Sequence, residues 1–150
     1  LAMLLKEYFQ ERYRIWTAGL LATDISADAL TTARRAVYKN DGQKLMPPLL
    51  TRRYFDRVDT ETLKVKDAIR DDVAYRRFNL MSPFSFRRTF DCIFCRNVMI
   101  YFDKPTQEVL INRYWNQLAV GGYLFTGHSE SLTGVIHKFE YVQPSIYKKV

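Results

Sequence analysis

Residues 90–102 read FDCIFCRNVMIYF, and this stretch decides the fold. Its first part, Phe90–Cys95, is a short and almost wholly apolar run, which is typical of a central strand buried on both faces of a parallel sheet. The run stops at Arg96 and Asn97. Because ligands bind outside the carboxyl ends of strands in open parallel sheets, we expect a small molecule to be contacted here. A polar turn that only ends the strand is the alternative.

The chain has 150 residues, which suits one domain with a single hydrophobic core. Its apolar runs all fall well short of the roughly 20 residues that a membrane span needs, so we expect no direct membrane insertion. The first residues lack the basic start and the small-residue cleavage site of a signal peptide. They also lack an initiator Met, which suggests a fragment. The cytoplasmic location that we expect goes with reduced cysteines.

The net charge of +7 comes from 23 basic and 16 acidic residues. Such an excess is typical of domains that meet nucleic acid, an anionic membrane surface or an acidic protein. The arginines are dispersed in pairs, without a long basic run or a zinc-finger spacing. The pattern therefore predicts no nucleic-acid partner and fits an acidic protein partner.

The two cysteines, Cys92 and Cys95, form a C-x-x-C inside the predicted strand. Side chains three residues apart in a strand point to opposite faces, so this pair cannot converge on a metal ion or act as a redox pair. We expect buried, reduced cysteines and no metal site.

An acidic residue follows an earlier predicted strand. Residues 20–23 are apolar and end at Asp24, and Ser26 or Asp24 can cap a helix that begins near Ala27 and runs to Val37. One carboxylate at the end of a parallel strand can accept hydrogen bonds from both hydroxyls of a ribose. A plain capping aspartate is the alternative.

The remaining elements follow from hydrophobic periodicity and turn residues. They are an amphipathic helix over residues 1–13, a turn at 40–42, a short helix over 46–55, an exposed edge strand over 63–66, a strand over 73–78, a helix opened by Pro105 and ended by Gly121 and Gly122, a parallel strand over 123–126, and a hairpin over 139–142 and 145–149. This order predicts an α/β fold whose terminal strand is reversed.

Four ordered blocks resemble the CheR family, the S-adenosylmethionine-dependent methyltransferases that esterify glutamates on bacterial chemotaxis receptors. The blocks are ATDIS with the following ALTTARRAVY (22–38), LLTRRYF (49–55), FDCIFCRNVMIYFDKPTQ (90–107) and LAVGGYLFTGHSESL (118–132). The resemblance covers essentially the whole chain. It implies a Rossmann-like class I methyltransferase sheet, mostly parallel with a terminal antiparallel hairpin. It also implies one partial methyltransferase domain over residues 1–150, with a small β-subdomain inserted around 46–72.

The resemblance also assigns the cofactor-binding residues. Asp24 would hold the ribose hydroxyls of S-adenosyl-L-methionine, and Asn97 with the backbone at Val98 would line the adenine side. Arg113 and Tyr114 are similar to a pair that lies near the cofactor in the family. No catalytic residue is expected, since a glutamate is already an anion at neutral pH and the sulfonium is a strong electrophile; the product would be S-adenosyl-L-homocysteine.

One departure from the family lies at the start of the chain. The glycine loop of the form GxSxGEEP should directly precede Leu1, and the 150 residues contain neither this loop nor the helical domain before it. We therefore expect an N-terminally truncated chain with half of the cofactor pocket outside it. A sheet that lacks a strand could form a dimer by exchange of elements, since unpaired strand edges invite pairing.

The resemblance implies a role in chemotactic signal transduction, with the acidic helical cytoplasmic region of the receptors as partner. A non-catalytic S-adenosylmethionine-binding or regulatory module is the first alternative. A nucleic-acid methyltransferase is the second, and the lack of a DPPY-like tetrad after the central strand argues against it.

Overall fold

The structure is a computed structural model that describes residues 1–12, 18–40 and 46–150. It divides into two compact units, Leu1–Asn79 and Leu80–Val150, which are treated separately below. Within the described ranges, none of the helices has both the length and the apolar character that crossing a membrane requires.

The first unit contains four helices and five strands among its described residues. They are α1 (Ala2–Arg12), β1 (Leu20–Asp24), α2 (Ala27–Arg35), β2 (Val37–Lys39), α3 (Pro48–Tyr54), β3 (Phe55–Arg57), β4 (Thr62–Val65), α4 (Asp67–Arg70) and β5 (Val73–Arg77). Strands β1 and β5 pair in parallel, with Asp24 opposite Arg77 in the register. The predicted helices at the start of the chain and after Pro47, and the strands β1 and β5, are therefore confirmed. The end of the first helix and most of the turn predicted at 40–42 lie outside the described residues.

Helix α2 is shorter than its apolar spacing predicts. It begins at a Ser26 N-cap, whose hydroxyl accepts a hydrogen bond from the Ala29 N–H at 3.2 Å. It ends where Ala36 adopts a left-handed conformation with a φ of 55° and donates its N–H to the Thr32 carbonyl. This turn reverses the chain into β2, so the helix stops before Val37 rather than including it.

The prediction of an exposed edge strand over 63–66 is wrong. Strand β4 lies in the middle of a three-stranded antiparallel sheet, between β2 and β3. Leu63 and Val65 are buried, whereas Thr62 and Lys64 on the other face are half-exposed. Both neighbours of β4 pair with its backbone, and side-chain polarity reports on the faces of a strand rather than on its edges. The sheet begins at Val37, and its status as a separate inserted subdomain stays a prediction.

The second unit carries four strands, a short 3-10 helix and a long α-helix. They are β6 (Phe90–Cys95), a 3-10 helix (Met99–Tyr101), α5 (Lys104–Gln117), β7 (Leu118–Thr126), β8 (Glu140–Gln143) and β9 (Ile146–Lys148). The sheet order is β6-β7-β9-β8, with β6 and β7 parallel and the other pairs antiparallel. The parallel pair and the terminal hairpin confirm the sequence-based prediction.

The core of the second unit forms between α5 and one face of the sheet. Asp103 caps α5 by accepting the Thr106 N–H at 3.0 Å. Leu110 and Ile111 of the helix and Leu124 of β7 are completely buried. Each such aliphatic side chain contributes about 1.5–3 kcal/mol to folding, so this core fixes the loops that follow β6 and β7.

The prediction that Gly121 and Gly122 end the long helix is wrong. Helix α5 ends at Gln117, and both glycines lie inside β7. Gly121 has a φ of 81°, and a Cβ on Gly122 would lie 2.9 Å from the Asp91 carbonyl oxygen. The pairing of β6 with β7 shifts register at this point, so the glycines accommodate a bulge in the sheet instead of a helix terminus.

Strand β6 is not buried on both faces, contrary to the prediction. It lies at one end of the sheet order, and Phe94 is 46% exposed. Ile93 and Cys95 face the core, while Cys92 is exposed. Both cysteines are free and point to opposite faces, but only Cys95 is buried as expected. The apolar run of β6 has no alternation of polar residues, so the sequence did not show that the face carrying Phe94 is exposed to solvent.

Candidate functional site

Asp24 is the last residue of β1, and its side chain is exposed. Its Oδ1 accepts the N–H of Ser26 at 2.8 Å, and its carbonyl accepts the N–H of Phe78 at 3.0 Å. The helix cap is Ser26, so the plain-capping interpretation of Asp24 does not describe this turn. Among the described residues, Oδ2 accepts no hydrogen bond, which leaves one carboxylate oxygen with two lone pairs for a ligand.

Asn97 is the second residue after β6, and it turns the chain. Its φ of 58° is left-handed, a conformation that asparagine tolerates better than most residues. Its side chain is exposed, and its backbone N–H donates to Oε2 of Glu130 at 2.7 Å. The chain then continues into the 3-10 helix.

Glu130 organises this end of β6, and the sequence-based predictions did not include it. Glu130 is only 5% exposed. The carboxylate accepts five backbone N–H groups: Asn97 (2.7 Å), Val98 (2.7 Å), Met99 (2.7 Å), Ile100 (3.4 Å) and Gly127 (2.6 Å). Burial alone would raise the pKa of this carboxyl, but the hydrogen bonds from the backbone outweigh it and lower the pKa below its usual value.

Gly127 brings the loops after β6 and β7 into contact. A Cβ at this position would run into the Glu130 carboxylate and would lie 2.8 Å from Oδ1 of Asn97. Only a residue without a side chain fits between them. The quoted block GHSESL contains both Gly127 and Glu130, but its letters alone do not show which backbone groups the glutamate binds.

The backbone of Val98 is already engaged within the second unit. Its N–H donates to Oε1 of Glu130, and its carbonyl accepts the N–H of Tyr101 at 3.2 Å. The side chain of Val98 is half-buried. That the backbone at Val98 lines the adenine side stays a prediction.

Arg113 ties α5 to the start of the second unit. Its Nη1 donates to three successive carbonyls, those of Leu80 (2.9 Å), Met81 (2.9 Å) and Ser82 (3.1 Å). Its guanidinium also lies 6.0 Å from the centre of the Phe84 ring. These contacts order residues 80–84, and a contact between Arg113 and the cofactor stays a prediction.

Tyr114 lies in the core of the second unit and is 3% exposed. Its ring centre lies 5.6 Å from that of Phe84, and Cys95 belongs to the same buried cluster. Burial raises the pKa of Tyr114 well above its usual value, and Cys95 and Glu130 add to the rise. The described position is one of packing beneath β6, and its predicted proximity to the cofactor is not tested by these contacts.

The described residues contain no group of three or more His, Cys, Asp or Glu side chains placed to hold a metal ion. They present a pair of parallel strands in each unit, with an exposed carboxylate at the end of β1 and an exposed amide after β6. Open α/β folds, the class that includes the nucleotide-binding proteins, hold their ligands outside the carboxyl ends of parallel strands, which is where these polar side chains lie.

Comparison with known families gives this class a name. The family described as "CheR methyltransferase, SAM binding domain" matches residues 1–148. The chain therefore belongs to the CheR methyltransferase family, and the predicted Rossmann-like methyltransferase fold is confirmed.

Relatives agree with this membership. The chain is 39% identical over 150 residues to a chemotaxis protein methyltransferase of Borreliella burgdorferi, covering 99% of this chain and 53% of the relative. It is 41% identical over 138 residues to the chemotaxis protein methyltransferase of Vibrio parahaemolyticus, covering 89% and 50%. It is 39% identical over 155 residues to chemotaxis protein methyltransferase 1 of Vibrio cholerae, covering 100% and 56%. The chain thus spans about half the length of the curated relatives it matches.

Proposed function

We propose that this chain binds S-adenosyl-L-methionine and that the intact protein transfers its methyl group to glutamate side chains of chemotaxis receptors. The products are glutamate methyl esters and S-adenosyl-L-homocysteine. The family match over residues 1–148 carries this proposal, because it includes every predicted cofactor-binding residue. The names of the relatives, which are chemotaxis protein methyltransferases, support the chemotactic role.

Two residues are proposed to recognise the nucleoside. Asp24 accepts the ribose hydroxyls, which is supported by the exposed Oδ2 that has no protein donor among the described residues. Asn97 contacts the adenine, since a side-chain amide offers both the donor and the acceptor that the edge of adenine requires. The glycine loop that completes the family's pocket is not among these 150 residues.

The proposed reaction requires positioning rather than proton transfer. When bound, S-adenosyl-L-methionine supplies a methyl group on a positively charged sulfur. A glutamate carboxylate oxygen forms the new bond to that carbon as the carbon–sulfur bond breaks, and the sulfur keeps the electron pair. The task of the protein is to align the substrates and exclude water. Accordingly, we assign no general base.

The proposed partner is the acidic helical cytoplasmic region of a receptor, which places the protein in the cytoplasm. The net charge of +7 favours encounter with such a surface. Added salt should therefore weaken association with the receptor, because exposed charges are screened over about 8–10 Å at physiological ionic strength.

The experiment uses the intact protein, S-adenosyl-L-methionine carrying a labelled methyl group, and a receptor cytoplasmic fragment. We expect label on the receptor that is released as methanol by mild base, as a methyl ester requires. Replacing the receptor's target glutamates with alanine is the control and should abolish labelling. Base-stable label, or label on duplex DNA offered as a competitor, would contradict the proposal. Cofactor binding without any transfer would instead support the non-catalytic module.

A further inference from the structure

We infer that Glu130 is a positioning residue: its carboxylate holds residues 97–100 in the conformation that presents Asn97 to the cofactor, without contacting the cofactor itself. The inference rests on the proposed function, because it deepens the role given to Asn97. It concerns a residue that the sequence motifs did not single out.

The first argument is the number of donors that converge on one carboxylate. Four consecutive N–H groups, from Asn97 to Ile100, point at Glu130. Successive N–H groups converge on one anion when a left-handed residue is combined with a helical turn, as Asn97 and the 3-10 helix are here. Without an anion at their centre these N–H dipoles would repel one another, so the carboxylate selects this conformation.

The second argument is how Glu130 itself is anchored. Its backbone N–H donates to the Gly127 carbonyl at 3.0 Å, while its Oε2 accepts the Gly127 N–H. The carboxylate therefore joins the ends of two adjacent parallel strands, β6 and β7. The conformation of Asn97 is therefore fixed by hydrogen bonds to the end of the neighbouring strand, and not by contacts within its own loop.

The third argument concerns what this end of β6 can offer to a ligand. A cluster of N–H groups after a strand is an anion-binding site in many α/β proteins. Here the protein's own carboxylate occupies the cluster. The ligand therefore meets the Asn97 side chain and not the N–H groups, which favours an uncharged base over a phosphate at this position.

The test measures affinity for S-adenosyl-L-methionine by calorimetry in the intact protein. Glu130→Gln keeps the size of the side chain but puts an amide N–H₂ against backbone donors. Asn97→Gly removes the side chain and still tolerates a positive φ. We expect each variant to bind about tenfold more weakly, and the double variant to bind no more weakly than Asn97→Gly alone, because both changes remove the same contact.

The matched control is Tyr147→Phe. The Tyr147 hydroxyl accepts the buried N–H of Leu132 at 3.2 Å, so this change also removes the acceptor of a buried N–H in the second unit. We expect a lower melting temperature with unchanged affinity. If Tyr147→Phe weakens binding as much as Glu130→Gln does, then Glu130 acts only through stability and the inference is overturned.

The remaining outcomes separate the inference from the proposed function. Normal binding by Glu130→Gln, or losses that add fully in the double variant, overturns the inference alone. Normal binding by Asn97→Gly would show that Asn97 does not contact the cofactor, and this would overturn the inference. The proposed role of Asp24 would still stand. Failure of the wild-type protein to bind the cofactor overturns the proposed function.

A measurement on the wild-type protein covers the case in which Glu130→Gln does not fold. We expect slow hydrogen exchange of the backbone amides from Asn97 to Met99 in the absence of cofactor, because Glu130 already holds them. Exchange at the rate of an open loop until the cofactor is added would overturn the inference, since the ligand would then be ordering the loop.

Discussion

The end of β1 and the end of β6 both carry a polar residue proposed to bind the cofactor, but they are built differently. Asp24 is held by a hydrogen bond to Ser26, two residues further along, and both residues are exposed. Asn97 is held by Glu130, which is 33 residues away and buried. The side chain of Asp24 is thus oriented by a local hydrogen bond, although its backbone carbonyl also accepts the N–H of the distant Phe78. The turn at Asn97 exists only when β6, β7 and their core have formed.

This difference separates what stabilises the fold from what binds the ligand. At the end of β1 the group proposed to bind, Oδ2 of Asp24, has no structural partner among the described residues. At the end of β6 the buried Glu130 accepts the hydrogen bonds that stabilise the turn, and the side chain of Asn97 is exposed. We therefore expect mutations at β1 to affect binding more than stability, and mutations around Glu130 to affect both.

The largest expected effect on stability is that of Glu130→Ala. Hydrogen bonds to a charged group contribute about 1.5–3 kcal/mol each, and buried N–H groups without an acceptor are costly, so we expect the free energy of unfolding to fall by about 3–4 kcal/mol. Urea denaturation of the intact protein, followed by tryptophan fluorescence, measures this. A loss below about 1 kcal/mol would mean that water replaces the carboxylate, and the comparison would fail.

Gly127→Ala should have the next largest effect. The Cβ of the new alanine would collide with the Glu130 carboxylate and with Asn97. Overpacking of this kind costs about 1–3 kcal/mol. Gly19→Ala is the control, because a Cβ there meets no atom of the described residues within 4 Å. Thermal unfolding compares the two variants, and equal melting temperatures would contradict the close approach of the two loops.

The contribution of Glu130 to stability should depend on pH. The folded protein lowers the pKa of Glu130, so its contribution is complete above the pKa of the unfolded chain and is lost as the pH falls through the lower pKa of the folded protein. The stability difference between the wild type and Glu130→Gln should therefore shrink on acidification below about pH 4. If the stability difference between the two proteins grew in acid, the lowered pKa of Glu130 would be contradicted.

The smallest expected effect on stability is that of Ser26→Ala at the end of β1. It removes the cap of α2, and loss of such a cap costs about 1 kcal/mol. Ser26→Thr keeps a hydroxyl in place and should recover most of the loss. Chemical denaturation distinguishes these variants, and a cost for Ser26→Ala equal to that of Glu130→Ala would remove the contrast between a local and a long-range turn.

Local signals predicted much of the fold. Helix starts are visible in sequence because a cap and its partner are close, which is why the start of α2 was predicted at Ser26 or Asp24 and that of α5 at Pro105. The parallel strands β1, β5, β6 and β7 and the terminal hairpin also followed from periodicity and turn residues. Asp24 was placed correctly at the end of its strand for the same reason.

Features that depend on distant partners were not predicted. The five donors to Glu130 come from two loops, and nothing in the letters GHSESL reveals them. Gly121 and Gly122 resemble a helix terminus, but the pairing with β6 makes them part of a strand. The sequence pattern of β4 shows which residues are buried, and only the paired neighbours show that it is a middle strand.

The central claim is that Asp24 helps to hold S-adenosyl-L-methionine, and calorimetric titration of Asp24→Asn in the intact protein tests it most directly. Asp28→Asn is the matched control, since Asp28 is also exposed and lies in the first turn of α2. We predict that Asp24→Asn binds about 10- to 100-fold more weakly, as loss of hydrogen bonds to a charged group implies, while Asp28→Asn binds normally. Equal affinities for Asp24→Asn and the wild type would contradict the account.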